Sequence, residues 1–221
     1  MGYELVEGDR RYSYAASKYT AERMVAAARW RGAKASVYRL PFITASLATS
    51  HFRLNRGDFL HNFLSGCLEL GAFPSIDQDL SAVLPVDYVA DTIVNLIKQN
   101  ATCDGFRDYD FIDSSPISFD HFFHLFGAAL PGQEVVPFAK WNQRASSYAA
   151  NHLASPLARI ITLLDSVTDA SGLAAMLSGP KCSRENVLGG DHYPAPAITK
   201  DFVAKYVTHI FSTATTLQNK D

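Results

Sequence analysis

The chain has 221 residues with a formal net charge of −2 at neutral pH, and 48% of them are apolar, 19% charged and 12% aromatic. That is a globular composition: it excludes a disordered tail, a collagen-like fibre and a disulfide scaffold, and at about 150 residues per domain it makes one large domain or one domain with an appendage. No basic stretch offers the positive footprint of a nucleic-acid binder and no apolar run approaches the ~20 residues of a bilayer span, so the expected setting is cytoplasmic, with neither nucleic acid nor membrane as partner.

The start, MGYELVEGDRR, is polar and unlike a signal peptide. Tyr14, Lys18, Ala21, Val25 and Ala28 then recur at i, i+4, i+7, i+11 and i+14, which predicts a helix over 14–31 with Arg23 on its solvated side. Gly32 stands where a left-handed C-cap is wanted. Residues 35–40, β-branched and aromatic and ended by Pro41, read as a buried strand. A long polar loop is expected over 42–57. The next helix runs from an Asp58 cap to Gly71 and carries Phe59, Leu60, Phe63, Leu64, Cys67 and Leu68.

Residues 82–86 make a short extended piece, and Asp87 is expected to cap a helix carrying Val89, Ile93, Val94, Leu96 and Ile97. A half-buried strand is predicted at 108–112. Ser118 then caps an aromatic helix through Phe119, Phe122, Phe123 and Phe126, and another strand is expected at 134–138. From 139 the pattern is helical with polar breaks. Pro156 suits a first helical turn ahead of Leu157, Ile160, Ile161 and Leu164. Residues 165–195 read as irregular, with Gly179-Pro180, Gly189-Gly190 and Pro194. Thr199 caps a last helix bearing Phe202, Val203, Tyr206, Val207 and Ile210, and 213–221 should fray. Strands alternating with helices predict an α/β fold over 1–138 and a helical C-terminal portion over 139–221. The three cysteines, Cys67, Cys103 and Cys182, lack CxxC spacing and are expected as small buried hydrophobes.

The feature with most chemical content is Tyr14-Ala15-Ala16-Ser17-Lys18. Four residues along a helix bring a phenol and an ammonium side by side, and the cation favours the phenolate, lowering a pKa that is ~10 in water. A phenol so tuned can give a proton to an oxygen that turns negative as hydride reaches its carbon. The same spacing also describes an ordinary surface Tyr–Lys pair. His121 and His124, i and i+3 on the aromatic helix, lack a Cys or carboxylate at ligand spacing, so no metal site is expected. Asp108, Asp110 and Asp113 lack calcium-loop spacing and read as solvated edge residues. Asp77 and Asp79 are too close in sequence for a separated acid–base pair. There is no GxSxG elbow and no Walker loop.

YAASKYTAERMV, VYRLPFITAS, NRGDFLHNFLSGCLELGAFP and LPVDYVADTIV follow one another in this order, with Trp141, NHLASPL at 151–157 and Pro196-Ala197-Ile198-Thr199 beyond. Over about residues 10–213 this resembles the C-terminal part of the thioester reductase domains of nonribosomal peptide and polyketide synthases. It is similar also to carboxylic acid reductases and α-aminoadipate reductase, within the extended short-chain dehydrogenase/reductase superfamily. The resemblance implies the second half of a Rossmann-type parallel sheet with a helical substrate portion. It implies NADPH as cofactor and reduction of an acyl thioester on the phosphopantetheine arm of a carrier protein, giving an aldehyde or alcohol. On that carry-over Tyr14 is the general acid, Lys18 tunes it and binds the nicotinamide ribose, and Pro41, Phe42 and Ile43 lie against the nicotinamide.

Two departures from the family pattern stand out. Pro41 and Ala45 occupy positions of the Arg39–Ala45 run where glycines are usual, which restricts the backbone there. The Gly-rich pyrophosphate turn and the Ser/Thr partner of the catalytic set, which would precede YxxxK, are absent from these residues. The helix carrying Tyr14 is therefore expected to leave its apolar face open and the strand at 35–40 to be a free sheet edge, with a further chain as one source of the missing half. Two other readings stay open: a catalytically silent binding module, and a short-chain reductase of a free carbonyl.

Overall fold

A computed structural model describes residues 10–48, 57–80, 83–101, 107–111, 117–130, 132–178, 187–188 and 195–208, with backbone only for 10–15, 101, 178 and 187–188. The Tyr14 side chain, Cys103, Cys182, Asp113, Gly179-Pro180, Gly189-Gly190, Pro194, Ile210 and the tail at 213–221 lie outside what is described.

Helix α1 spans Arg10–Trp30, one turn longer at its start than the apolar periodicity indicates. It ends in a Schellman turn: Ala33 N–H bonds Ala28 O at 3.0 Å and Gly32 N–H bonds Arg29 O at 2.9 Å. Gly32 holds φ near +90°, a conformation in which any Cβ would be strained. Strand β1 (Val37–Arg39) follows, then β2 (Phe42–Thr44), which falls inside the expected loop. Three residues are too few to show a period, and β2 exists because it pairs in parallel with β5 (Val83–Pro85).

Helix α2 (Phe59–Leu70) has the caps its sequence predicts. Asp58 accepts from His61 N–H at 2.8 Å, and Gly71 stops the helix at φ 75°. Short strands β3 (Ala72–Ser75) and β4 (Asp79–Leu80) precede α3, which spans Val86–Ala101. Asp87 thus lies inside the first turn of α3 and does not cap it. Next come β6 (Asp108–Phe111), β7 (Ile117–Ser118) and α4 (Phe119–Ala129), with Ser118 capping α4 through His121 N–H at 3.2 Å.

Strand β8 (Glu134–Pro137) leads into α5 (Phe138–Asn151) and α6 (Pro156–Leu164). Ser155 caps α6 through Ala158 N–H at 3.1 Å, with Pro156 in the first turn. Helix α7 (Ala170–Ser178) occupies part of the stretch read as irregular. Its start is marked by Asp169, whose carboxylate accepts from Gly172 N–H at 2.7 Å, a cap obscured by the small, weakly periodic residues that follow. After β9 (Val187–Leu188), helix α8 covers 200–208, and Thr199 Oγ1 accepts from Phe202 N–H at 3.2 Å.

The fold is α/β with mostly parallel pairing, as expected. Strands order β1-β6-β9, all parallel, with Val37 opposite Asp108 and Arg39 opposite Asp110. Strands β3 and β8 pair in parallel, and β4 with β7 antiparallel. Among the described residues nothing pairs with the outer side of β1, so it is a sheet edge. Its residues are half-buried, less sheltered than the sequence suggested.

Two apolar cores result. The larger joins α2, β3, α4, α5, α6, α7 and α8 around Phe63, Phe73, Phe123, Phe126 and Trp141, and it runs across residue 138. Cys67 sits in it, fully buried as expected, and burial pushes its thiol pKa up although Trp141 lies beside it. The smaller gathers Leu84, Val89, Leu96, Tyr109 and Phe111 between α3 and one face of the β1–β6 pair. Among the described residues no helix is long and apolar enough to cross a membrane.

Candidate functional site

Alternation along β1 and β6 divides their side chains between two faces. Tyr38 and Tyr109 stack at 5.3 Å on the α3 side. Arg39, Asp108 and Asp110 take the other face, the one α1 covers. Arg39 donates through both arms of its fork to Glu22 on α1, at 2.8 and 2.7 Å, and to Asp110 and Asp108 at 3.1 Å each. Arg29, further along α1, bonds Asp108 at 2.6 Å and the carbonyl of Ala35 at 2.8 Å. The Glu22 hydrogen bonds raise the Arg39 pKa above its already high ordinary value, against the effect of partial burial.

Asp108 and Asp110 are therefore not solvated edge residues: Asp110 is only 3% exposed and is paired with Arg39. Buried carboxylates need such partners, and the pairing between strand and helix is invisible in a local spacing pattern.

These contacts also fix the direction of α1. Arg29 meets the start of the strands and Glu22 meets the end of β1, so the helix runs antiparallel to β1. The segment before Glu22 extends past the carboxyl edge of the sheet, where ligands of open parallel sheets bind. Lys18 lies one turn before Glu22 and is exposed, and Tyr14 lies one turn before Lys18 on the same continuous helix. Met24 and Trp30 on α1 are 69% and 92% exposed but lie off the predicted apolar face, whose Val25 and Ala28 are half-buried.

Pro41, Phe42 and Ile43 leave that same carboxyl edge. Phe42 packs against the larger core, Pro41 is half-buried and Ile43 is exposed. The run beyond is pinned from below. Thr44 Oγ1 donates to Leu84 O at 3.2 Å. The Asp87 carboxylate accepts from Ser46 Oγ at 2.8 Å, Ala48 N–H at 2.9 Å and Tyr88 N–H at 3.1 Å. Burial alone would raise the Asp87 pKa, but these three donors outweigh it and hold the carboxyl below its ordinary value. Asp87 is thus a clamp on the segment after β2, a role its sequence position does not reveal.

The residues present fit one end of a dinucleotide. Lys18, exposed on α1, and the Pro41–Ile43 segment both stand at the carboxyl edge, where a nicotinamide and its ribose would lie. A pyrophosphate needs a Gly-rich turn between a strand and the helix after it. The described positive-φ glycines are Gly32 and Gly71, which end helices, and Gly132, which stands just before β8. None stands between a strand and a following helix, so the described residues do not fit the pyrophosphate end.

Away from this edge, His121 and His124 are exposed, and no group of three metal-ligating side chains occurs among the described residues. Their helix contributes structurally through Asp120, which accepts from Ile76 N–H at 2.8 Å and Ser75 Oγ at 3.1 Å. A polar cluster unsuspected from sequence joins Glu69 of α2 to Tyr148 of α5, with His152 stacked on Tyr148 at 4.1 Å and Arg159 nearby. Partial burial raises the Glu69 pKa despite those three neighbours.

The chain is similar in sequence and in fold to several known proteins. Residues 6–93 match an NAD-binding family described as male sterility protein. The chain is 45% identical over 208 residues to the PKS-NRPS hybrid synthetase acdB of Aspergillus candidus, covering 94% of this chain and 8% of that protein. It is 27% identical over 212 residues to an isonitrile lipopeptide synthase of Streptomyces coeruleorubidus, covering 93% of this chain and 14% of that one. Its fold superposes on the terminal R domain from the myxalamid PKS-NRPS pathway with a TM-score of 0.71 at 24% identity, over 91% of this chain and 50% of that domain.

The fold is that of a Rossmann-type α/β protein, with the candidate residues at the carboxyl edge of its parallel sheet. By sequence, the chain resembles the thioester reductase (R) domains of nonribosomal peptide and polyketide synthetases. It spans half of the solved R domain and a small fraction of each synthetase it matches.

Proposed function

We propose that this chain is the C-terminal, substrate-side part of an R domain that releases a carrier-bound acyl chain reductively, with residues 1–138 forming the partial reductase core and 139–221 the carrier side. The observation that supports the reading best is the placement of the YxxxK helix: α1 runs past the carboxyl edge of a parallel sheet, within a match that covers 94% of the chain. When bound, a nicotinamide cofactor, NADPH on family grounds, supplies the hydride.

The residues of this chain handle the proton. As the thioester carbonyl carbon gains hydride, its oxygen becomes negative, and Tyr14 gives that oxygen its phenolic proton. Lys18, one turn away, favours the phenolate left behind and hydrogen-bonds the nicotinamide ribose. The resulting thiohemiacetal breaks its C–S bond, returning the pantetheine thiol to the carrier and freeing an aldehyde. The product is this aldehyde, or the alcohol where a second hydride and proton follow. Pro41, Phe42 and Ile43 form the wall against the nicotinamide, and Asp87 keeps the segment behind them in place.

A second reading has its own support. Among the described residues no pyrophosphate turn occurs and nothing pairs with the outer side of β1, which favours a silent module that binds acyl carriers, or one completed by a chain that supplies the other half of the sheet. An NADPH titration of the purified chain, with Lys18→Ala as control, separates the two. Micromolar binding lost in the control is the expected result for a working nicotinamide site. Absence of binding up to millimolar NADPH overturns the enzymatic reading of the chain on its own.

A further inference from the structure

Helix α1 is attached to the sheet in an uncommon way. Parallel sheets covered on both faces normally present apolar residues to both layers. Here the α3 face does so through Tyr38, Tyr109 and Phe111, but the α1 face offers Arg39, Asp108 and Asp110. Ion pairs fasten α1 to the sheet through Glu22 and Arg29.

At about 100° per residue, Tyr14, Lys18, Glu22 and Arg29 all fall within about 80° of one another around the helix axis. The stripe that is fastened is therefore the stripe that carries Tyr14 and Lys18. Apolar contacts tolerate a helix rolling by some tens of degrees, because they have no directional requirement. A guanidinium fork does not tolerate it: its two parallel N–H bonds to one carboxylate hold only in one plane. Arg39 makes such a two-armed contact with Glu22 while its remaining bonds anchor it to Asp110 and Asp108 of the neighbouring strand. Asp110 is buried, so the anchor end lies inside the fold, away from solvent.

We infer that Arg39 is a positioning residue: held by Asp110 and Asp108, it clamps Glu22 and so sets the rotation of α1, which fixes where the Tyr14–Lys18 stripe stands at the carboxyl edge of the sheet. The importance of this clamp for reduction rests on the reading of Tyr14 and Lys18 given above. The clamp itself is tested without activity.

The test uses the full chain with ring-13C-labelled tyrosine, the Tyr14 signal being assigned from Tyr14→Phe. Glu22→Gln removes the carboxylate at the outer end of the clamp and leaves the Arg39–Asp110 pair intact, so the fold is kept. Arg39→Lys keeps the charge and loses the fork. Both variants are expected to displace the Tyr14 ring signal while Tyr109, on the opposite sheet face, keeps its own. A clamp that only stabilised the fold would lower the melting temperature and leave Tyr14 in place. An unmoved Tyr14 signal in Glu22→Gln, or a Tyr109 signal displaced as far as that of Tyr14, overturns the inference. The Lys18→Ala cofactor titration decides the catalytic reading separately, so an idle clamp and an idle Tyr14–Lys18 pair give different patterns.

Discussion

The contact of α2 with α5 and α6 and the contact of α1 with the sheet are both helix dockings, yet they rest on opposite chemistry. Around α2 the helices bury Phe63, Leu64, Trp141 and Leu157 almost completely, and Gly66 lets α6 come close enough that Leu157 lies where a Cβ would be. Under α1 the sheet presents two acids and an arginine, and the outer side of the helix leaves Met24 and Trp30 in solvent. The first region is a self-sufficient apolar core. The second is an oriented joint with an open flank. A core gains from being dry and dense, whereas a joint that carries reactive residues gains from directional bonds that fix an angle.

The contrast can be broken most strongly at Trp141. Its ring is fully buried against Phe63 and Phe138, and its Nε1–H donates to Ala72 O at 3.1 Å. Trp141→Ala should cost about 3–5 kcal/mol in denaturant unfolding, the range for large aromatic truncations. Gly66→Ala comes next. Its methyl would meet Leu157 Cδ2 at 2.8 Å and the Leu157 backbone N at 3.0 Å, so α6 must move away, at a cost of about 1–3 kcal/mol. Wild-type unfolding energies for Gly66→Ala would show that the two helices are not packed this closely.

Salt sharpens the comparison further. At 1 M ionic strength the screening length is about 3 Å, so partly exposed pairs such as Arg39–Glu22 weaken while apolar packing does not. Amide exchange in α1 should quicken between low and high salt, with α2 and α5 unchanged. Equal responses in all three helices would remove the distinction. The smallest effect is expected at Asp87. Its folded pKa lies below the unfolded value, so its contribution is present above the ordinary carboxylate range and is lost as pH falls through the lowered one. The Ala48 amide resonance should report that titration below the ordinary aspartate value, and Asp87→Asn should abolish it.

Caps and periodic faces were legible in the sequence because they are local. Asp58, Gly71, Ser118, Ser155 with Pro156, and Thr199 each act within four residues of the backbone group they satisfy. The phenylalanines of α4 point to the core because their spacing matches the helix. Strand β2 and helix α7 were missed for the converse reason: one is three residues long and exists through its partner β5, and the other begins at a cap followed by small residues.

Of the candidate site, the Tyr14–Lys18 spacing and the Pro41–Ile43 run were readable, since a motif is a pattern along the chain. Local spacing reads the acids at 108 and 110 as solvated and Asp87 as a helix cap, whereas the structure pairs them with distant groups. Their partners, Arg39 and Ala48, lie far along the chain, 71 residues for Asp110 and 39 for Asp87.

The sequence by itself determined the capped, strongly periodic helices, which of their faces are apolar, and the chemical pair on the first helix. Each of these follows from residue type and spacing within a few turns. Only the tertiary structure decided that the sheet meets α1 with charge and α3 with tyrosines, that among the described residues nothing pairs with the outer side of β1, and that the stripe of α1 carrying Tyr14 and Lys18 is fastened through Arg39. Those outcomes depend on which distant strand aligns with which, and parallel pairing sets that alignment through contacts that no local pattern encodes.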